Sequence, residues 1–474
     1  MSHAPSPSIR VRPPPGPVDA ELSPPGSKSL TNRALILAAL ATGRSTLRGC
    51  LDSDDTRAML AAIARFGLAH ELRDDATTVT LTGNGGPPSR LADPTRPIDV
   101  ATAGTAARFL TAVLAASPLT ALVDGSPRMR ERPMEGLLRA LRDQGAQIRC
   151  LAADDLLPFE ISGARLRGGE LRLPRPPSSQ FISALILAAA LADAPTRIVL
   201  ERGTPARPYV DMTLATLRDF GGDARWHAHD TINITPTPLR ARDYTIEPDA
   251  SAASYLLAIP AIFGGRVTVP ALGNRSIQGD AAFCQVLARM GAAVEQTPDQ
   301  TTVTGTGRLE GATLDLADMP DMALTAAILA LHARGRSEIH NVEVLRHHES
   351  DRLTAAATEL RKLGAAVQEL PAGLIIDPPL TPTRDVVIDT DKGRDVDMTM
   401  VGDIEMPASD FSDLPESLDD ATDGAAHGGT VMRTSLRQEL ARAGRVLAKS
   451  RESMNSLFQD ARMGKALDTE HCLP

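Results

Sequence analysis

The chain has 474 residues, of which 42% are hydrophobic and only 3% aromatic, and its formal net charge at pH 7 is −9. This length predicts two or more domains, and the negative charge argues against a general nucleic-acid-binding protein. The longest apolar run, residues 181–192, is shorter than the roughly 20 residues of a membrane span. The Pro-rich start is interpreted as a flexible leader rather than a signal peptide. We therefore expect a cytoplasmic protein that binds neither membranes nor nucleic acid.

The first predicted element is a turn followed by a helix, over residues 25–40 (PGSKSLTNRALILAAL). The start of a helix carries unpaired backbone N–H groups and the positive end of the helix dipole. Lys28, Ser29 and Arg33 add two cations and a hydroxyl there, a combination typical of a phosphate or carboxylate site. If this stretch stood alone, an ordinary capped helix without a binding role would be the simpler interpretation.

Two kinds of helix then recur along the chain. Amphipathic helices end at Gly67, Gly145, Gly221, Gly291 and Gly364, at intervals of 78, 76, 70 and 73 residues, and each glycine suits a helix C-cap. Helices that are apolar on nearly all sides keep the same period, and we expect them to be buried. Each pair of helices with its flanking strands is interpreted as one α/β unit, with the starts of the buried helices meeting at a common cleft. Five units are clear, and a sixth is expected near residues 390–450.

The polar residues at these helix starts predict the chemistry. Cations and hydroxyls, together with two or three carboxylates, suit an anionic substrate held by charge-assisted hydrogen bonds, with the carboxylates moving protons. Any single Arg would more simply form a surface ion pair of little energetic value, but the repetition favours a binding site. Beyond the first helix, the residues are Thr105, Arg108, Arg128, Arg130, Arg132, Ser178, Ser179, Gln180, Arg207, Tyr209, Asp211, Asp321, His348, Glu349, Asp351 and Arg352.

Seven stretches together resemble the 5-enolpyruvylshikimate-3-phosphate synthase family of enolpyruvyl transferases. They are PGSKSLTNRALILAAL, LDSDDT, AGTAARFL, PRMRERP, SSQF, ESDRL and TELRKLGA. The resemblance implies an α/β (α+β) fold of two domains, built from repeated βαββαβ units around buried helices, with the last unit degenerate. It makes residues 1–20 the leader and first strand of domain 1, residues 21–243 domain 2, and residues 244–400 the return to domain 1.

The resemblance also implies the reaction. The enolpyruvyl group of phosphoenolpyruvate passes to the 5-hydroxyl of shikimate 3-phosphate, and phosphate leaves, by addition and elimination without a metal or organic cofactor. Asp321 and Glu349 match the family's proton-transfer residues, and Lys28 matches a residue that contacts both substrates. The residues expected to bind substrate are Lys28, Ser29, Arg33, Gly104, Thr105, Arg128, Ser178, Ser179, Gln180, Tyr209, Asp321, His348 and Arg352. The protein is expected to be a monomer.

The chain also departs from the family's pattern. Ala206 stands where a phosphate-binding Ser is usual, Val344 where an Asn is common, and His348 where a Lys is found. After residue 390 the family's Asp-x-His-Arg-Met-Ala-Met helix and Lys-Thr-Phe-Pro segment are missing. Residues 403–423 hold eight acidic residues and no basic one, which is typical of disorder. We predict an acidic disordered linker over 401–430 and an amphipathic C-terminal helix over 431–474.

The sequence leaves three functions open. The first is an active synthase, and the second is the related transferase that acts on UDP-N-acetylglucosamine. The latter enzyme uses a loop Cys as its acid, whereas this chain has arginines over residues 128–132 and no nearby Cys. The third is a catalytically impaired relative that still binds shikimate 3-phosphate. A frameshift, a gene fusion or divergence would each explain the altered C-terminus.

Overall fold

The computed structural model describes residues 8–11, 14, 16–74, 76–174, 176, 178–347, 350–381, 386–388 and 404–407. Arg10–Glu405 forms one compact unit. The sixth unit predicted near residues 390–450, the linker 401–430 and the helix 431–474 lie outside the described residues, apart from a strand at 404–407. The division of the chain at residue 243 stays a prediction.

The two predicted kinds of helix alternate along the described part of the chain. Its α-helices are α1 (Lys28–Leu40), α2 (Asp54–Arg65), α3 (Gly104–Ala115), α4 (Pro127–Arg130), α5 (Glu135–Asp143), α6 (Ser179–Ala189), α7 (Arg207–Asp219), α8 (Ala250–Phe263), α9 (Phe283–Arg289), α10 (Ala323–His332) and α11 (Arg352–Lys362). Three short 3-10 helices also occur there, at Gly279–Ala282, Pro320–Met322 and Glu343–His347.

Short strands separate the helices. They are β1 (Ser8–Val11), β2 (Val18–Glu21), β3 (Thr42–Arg48), β4 (His70–Arg73), β5 (Thr78–Asn84), β6 (Ile98–Asp99), β7 (Thr120–Asp124), β8 (Gln147–Cys150), β9 (Phe159–Ser162), β10 (Gly169–Leu173), β11 (Thr196–Leu200), β12 (Asp223–Ala228), β13 (Thr231–Thr235), β14 (Asp243–Thr245), β15 (Gly265–Pro270), β16 (Ala293–Gln296), β17 (Gln300–Gly305), β18 (Leu309–Glu310), β19 (Thr313–Asp315), β20 (Ala333–Arg334), β21 (Ser337–His340), β22 (Ala366–Leu370), β23 (Gly373–Asp377), β24 (Val386–Val387) and β25 (Ile404–Pro407).

Five four-stranded sheets share one arrangement, in which the first two strands are parallel and the remaining neighbours antiparallel. Their strand orders are β14-β3-β5-β4, β6-β7-β9-β8, β10-β11-β13-β12, β2-β15-β17-β16 and β19-β21-β23-β22. Two smaller parallel pairings join β18 to β20 and β24 to β25. The repeated sheet confirms the five α/β units predicted from the periodic helices.

In two of these sheets the first strand comes from a distant part of the chain. β2 pairs with β15, about which the fourth unit is built, with Val18 opposite Gly265. β14 in turn completes the sheet of the first unit by pairing with β3, with Asp243 opposite Thr46. The chain therefore begins beside the fourth unit, builds the first three, and returns through β14 to α8.

The apolar helices α1, α3, α6, α8 and α10 lie inside the protein, as their sequences predict. Every residue of α1 from Leu30 to Leu40 is buried, and α3 is buried throughout except at Thr105. A single hydrophobic cluster runs from Leu30 to Ile246 and takes in α1, α3 and α6. Their many alanines let the helix axes approach closely, which suits a densely packed interior. In the described residues, no helix has the length and apolar character needed to span a membrane.

The turn before α1 leaves no room for a side chain at Gly26. A Cβ built there would lie 1.7 Å from the carbonyl oxygen of Gly49, and backbone cannot move aside cheaply. We predict that Gly26→Ala lowers the free energy of unfolding by about 1–3 kcal/mol, the usual cost of overpacking. Urea unfolding measures this change. Gly16→Ala is the control because no atom lies within 4 Å of its Cβ. Equal stability of the two variants would contradict the prediction.

Candidate active site

The start of α1 is held by a residue from a distant part of the chain. Ser27 caps the helix, and its Oγ accepts the N–H of Leu30 at 3.5 Å. Asp249, the N-cap of α8, accepts the backbone N–H of Lys28 at 2.9 Å through one oxygen and that of Ala252 at 3.0 Å through the other. One carboxylate therefore lies at the positive ends of two buried helices, which stabilises its charge.

The side chains of Lys28 and Ser29 lie partly exposed at this helix start. Lys28 Nζ is 3.7 Å from Asp55 Oδ2 at the start of α2, and the Lys28 side chain is 42% exposed. Ser29 is half-buried. Both residues are therefore accessible to a ligand that approaches the beginning of α1, where the sequence predicts binding of an anion.

Arg33, also predicted to bind substrate, lies deeper, with only 2% of its surface exposed. Its guanidinium stacks on the ring of Phe109 in α3, 5.3 Å from the ring centroid. Its hydrogen-bond acceptors are Thr213 Oγ1 at 2.7 Å, the Ser29 carbonyl at 2.9 Å, the Tyr209 carbonyl at 3.0 Å and Ser183 Oγ at 3.4 Å. Burial lowers its pKa to about 10, so it remains charged at neutral pH. Arg33 thereby fixes α7, which carries Tyr209, against α1 and α6.

Tyr209 joins two carboxylates at the centre of the site. Its hydroxyl lies 2.9 Å from Asp280 Oδ2 and 3.0 Å from Asp321 Oδ2. Arg352 Nη1, at the start of α11, donates to Asp321 Oδ1 at 2.9 Å. Ser251 Oγ, in the first turn of α8, donates to Asp280 Oδ2 at 2.5 Å. Three predicted residues, Tyr209, Asp321 and Arg352, are thus brought together from α7, from the 3-10 helix Pro320–Met322 and from α11.

Burial changes the proton affinities of this cluster. Asp280 is 4% exposed, and burial together with the nearby charge of Asp321 raises its pKa to about 7. The pKa of Tyr209 lies well above its usual 10, first because of burial and then because of both carboxylates. At neutral pH the phenol is therefore protonated, and the neutral form of the Asp280 carboxyl is favoured far more than it would be in water.

The start of α3 is surrounded by arginines. Gly104 packs so closely that a Cβ there would lie 2.7 Å from Arg132 Nη1 and 2.8 Å from Arg108 Nη1. Both of these arginines are buried, whereas the Arg128 side chain is 46% exposed and bonds Glu131 at 2.6 Å. Arg108 and Arg132 are therefore the cations closest to this helix start, although the family pattern points to Arg128. Thr105 is half-buried in the first turn of α3.

The start of α6 presents three further predicted residues. Ser178 caps the helix, and its Oγ accepts the N–H of Gln180 at 3.2 Å. Ser179 is 7% exposed, while Ser178 and Gln180 are half-buried. The structure therefore places two polar side chains at the start of α6 within reach of solvent.

His348 and Glu349 lie outside the described residues, so their predicted roles stay predictions. In the part of the chain that the structure describes, no group of three or more His, Cys, Asp or Glu side chains is arranged to hold a metal ion.

Three carboxylates of the site, Asp280, Asp249 and Asp55, were not predicted from the sequence. Each of these carboxylates stands at or near the start of a helix, in SIQGD, EPDAS and DSDDT respectively. Their position could have identified them as candidates, because acidic residues at helix starts are either caps or parts of a site. Their contacts with Tyr209 and Lys28 span between 27 and 221 residues of sequence, too far for local patterns to indicate.

Comparison with known proteins gives a consistent result for most of the chain. The family model described as EPSP synthase (3-phosphoshikimate 1-carboxyvinyltransferase) matches residues 13–398. The 3-phosphoshikimate 1-carboxyvinyltransferase of a Sulfurovum species is 40% identical over 375 residues, which cover 79% of this chain and 87% of that protein. The enzyme of the same name from Serratia proteamaculans is 43% identical over 357 residues, 74% of this chain and 82% of that protein.

Solved structures match in fold. An EPSP synthase from Acinetobacter baumannii superposes with a TM-score of 0.69 at 24% identity, covering 84% of this chain and 93% of that one. An enolpyruvyl transferase from Streptomyces tendae gives a TM-score of 0.66 at 17% identity, with 85% and 93% coverage. A second family model, described as a domain of unknown function (DUF3391), matches residues 381–472. The C-terminal segment thus resembles a different family from the rest of the chain.

Proposed function

Since this chain belongs to the EPSP synthase (3-phosphoshikimate 1-carboxyvinyltransferase) family, we propose that it transfers the enolpyruvyl group of phosphoenolpyruvate to the 5-hydroxyl of shikimate 3-phosphate and releases phosphate. The observation that carries this proposal is the setting of Asp321. Its carboxylate accepts hydrogen bonds from Tyr209 and Arg352 and lies in the 3-10 helix directly before buried α10. A family member needs a carboxylate here to take the proton of the attacking hydroxyl.

The reaction divides into two balanced steps. In the first, the 5-hydroxyl oxygen attacks C2 of phosphoenolpyruvate, its proton passes to Asp321, and C3 gains a proton from the acid, a role we assign to Glu349. In the second, C3 gives back a proton and the bond from C2 to the phosphate oxygen breaks, which restores the double bond and releases phosphate. Both steps need an acid and a base held in fixed places, because the carbon C3 is protonated and deprotonated in turn.

Cations at helix starts support the proposed binding of two anionic substrates. We assign Lys28 at the start of α1 and Arg352 at the start of α11 to neutralise phosphate or carboxylate groups of the substrates. We assign Ser178, Ser179, Gln180 and Tyr209 to shikimate 3-phosphate, and Gly104, Arg128 and Arg352 to phosphoenolpyruvate, on the basis of the family's motifs. Arg108 and Arg132 join the second group because they pack against Gly104.

We also propose that the first three units form one lobe and the remaining units the other. The pairing of β2 and β14 supports this division. β2 precedes the first three units but pairs with β15 of the fourth, and β14 follows those three units but pairs with β3 of the first. The hydrophobic cluster that ends at Ile246 supports it as well. The active site would then lie where α1, α7, α8, α10 and α11 begin, with residues from both lobes.

The C-terminal segment bears on phosphoenolpyruvate most directly. The family's last Arg and Lys for this substrate are missing after residue 390, and residues 381–472 match another family. This match favours a gene fusion among the explanations left open by the sequence. We expect phosphoenolpyruvate to bind more weakly than shikimate 3-phosphate, whose proposed contacts come from the first 350 residues.

Phosphate release tests the proposed function. Purified full-length protein should release phosphate from phosphoenolpyruvate when shikimate 3-phosphate is added, and no phosphate when UDP-N-acetylglucosamine is added instead. Calorimetry with shikimate 3-phosphate alone should show binding whether or not the protein releases phosphate. Binding without phosphate release would identify an impaired relative, and release with the UDP-sugar would overturn the proposal.

A further inference from the structure

A single phenol lies between two carboxylates in the proposed site. The oxygen of Tyr209 is 2.9 Å from Asp280 Oδ2 and 3.0 Å from Asp321 Oδ2. A neutral phenol has one proton and can donate it to one carboxylate only. The second contact joins two oxygen atoms and becomes a hydrogen bond only if a further proton lies between them. Asp321 is paired with the cation Arg352, whereas Asp280 Oδ2 has only the neutral hydroxyl of Ser251 as a further donor, so the carboxyl that takes this proton is Asp280.

The surroundings of Asp280 agree with a neutral carboxyl. The residue is 4% exposed, and its Oδ1 has no hydrogen-bond partner, which is costly for an ionised carboxylate. The helix α7 contributes Tyr209, and the turn before α10 contributes Asp321. The helix α8 contributes the nearby anion Asp249 and the hydroxyl of Ser251, whose hydrogen bond lowers the pKa of Asp280 by less than burial and Asp321 raise it. The following α9 carries the thiol of Cys284, buried with a raised pKa, and the exposed Arg289. No cation therefore faces Asp280 from these described elements, and two anions do.

We propose that Asp280 is a positioning residue for the reaction. Its protonated carboxyl donates to the oxygen of Tyr209, Tyr209 then donates to Asp321, and Asp321 is held ionised with a fixed orientation. This inference rests on the proposed function, in which Asp321 takes the proton of the attacking hydroxyl. Asp280 itself exchanges no proton with substrate in this arrangement.

Ligand binding should move a proton onto Asp280. The raised pKa of about 7 lets this carboxyl gain or lose a proton near pH 7. Shikimate 3-phosphate brings further negative charge into the site, and a nearby anion favours the neutral form of a carboxyl. We therefore expect the protein to take up a fraction of a proton for each bound ligand at pH 7.

Calorimetry in two buffers measures this uptake. Titrating shikimate 3-phosphate at pH 7 in buffers of low and high ionisation enthalpy gives the number of protons exchanged. Wild-type protein should take up more protons than Asp280→Asn, whose amide cannot titrate. The control Asp299→Asn, at a side chain 85% exposed, should match the wild type. Equal uptake by wild type and Asp280→Asn would overturn the inference.

Two substitutions at residue 280 separate positioning from mere packing. The amide of Asp280→Asn can still donate to Tyr209, whereas Asp280→Ala cannot. We expect Asp280→Ala to lower kcat by about tenfold with little change in KM, and Asp280→Asn to recover most of this loss. Equal losses in the two variants, or no loss in either, would overturn the inference.

A measurement without ligand separates this inference from the proposed function. The pKa of Asp280 is higher in the folded protein, about 7, than its unfolded value of 3.8, so between these values the folded state binds more protons. Stability then falls as pH rises through that interval. The Tm of the wild type should therefore drop more from pH 5 to pH 8 than the Tm of Asp280→Asn. If shikimate 3-phosphate fails to bind, the proposed function fails, and equal drops in Tm overturn the inference independently.

Discussion

Replacing Asp321 with asparagine is expected to lower kcat by about 10²- to 10⁴-fold while the fold stays intact. The amide cannot accept the proton of the attacking hydroxyl, and the site loses the charge that pairs with Arg352 at 2.9 Å. The KM values should change much less, because the loss falls on the chemical step. Steady-state kinetics of phosphate release, with both substrates varied, measures the two effects separately.

Asp315→Asn is the matched control for this experiment. Asp315 lies six residues earlier at the end of β19, is exposed, and accepts only a local hydrogen bond from the N–H of Ala317 among its described contacts. Its replacement should leave kcat within about twofold, as surface substitutions usually do. A change in KM alone for Asp321→Asn would show that Asp321 orients substrate and takes no proton.

Lys28→Met is expected to lower kcat/KM by about 10²- to 10⁴-fold. In the proposed site its ammonium bonds both anions, and each charge-assisted bond contributes about 1.5–3 kcal/mol, or roughly one to two decades. The fold should persist, since the ion pair to Asp55 is partly solvated and contributes at most about 1 kcal/mol. Thermal unfolding measured beside the kinetics checks this point.

Two further variants sharpen the interpretation of Lys28. Lys28→Arg keeps the charge but changes the geometry, so it should recover only part of the activity. Arg44→Met removes an exposed cation of β3 that pairs loosely with Glu71 at 3.5 Å, and it should behave as wild type. Near-normal kinetics of Lys28→Met would remove Lys28 from the site.

The sequence predicted the repeated units and the starts of the buried helices because both depend on local pattern. Each helix and its cap are indicated by a few residues, and the regular spacing of these short patterns shows the repeat. Ser27 and Ser178 cap their helices as their positions indicate. Asp321 and Arg352 were identified through the family's motifs, and they meet in the folded protein.

What the sequence could not predict depends on contacts between distant segments. Arg33 was predicted as a substrate contact, which stays a prediction. In the structure it donates to Ser183 of α6 and Thr213 of α7, 150 and 180 residues away. Asp280 was not predicted as a site residue because its contact in the site is with Tyr209, 71 residues earlier in the chain. The pKa of a carboxyl depends on its burial and its neighbours in the folded protein, and the local sequence pattern predicts neither.

The two segments by which the chain passes between the first three units and the rest run side by side. Gly26 and Pro248 form an antiparallel bridge, Ser27 N–H donates to the Glu247 carbonyl at 2.9 Å, and Asp249 N–H donates to the Pro25 carbonyl at 2.7 Å. Twisting one side of the protein against the other would distort these hydrogen bonds. Bending perpendicular to the two paired segments would distort them much less. If the two sides move as the proposed lobes, we expect this paired crossing to be the hinge, with one soft axis. Opening of the site about this hinge would then follow one direction. Lys28 and Asp249 lie at the hinge, so they would move least.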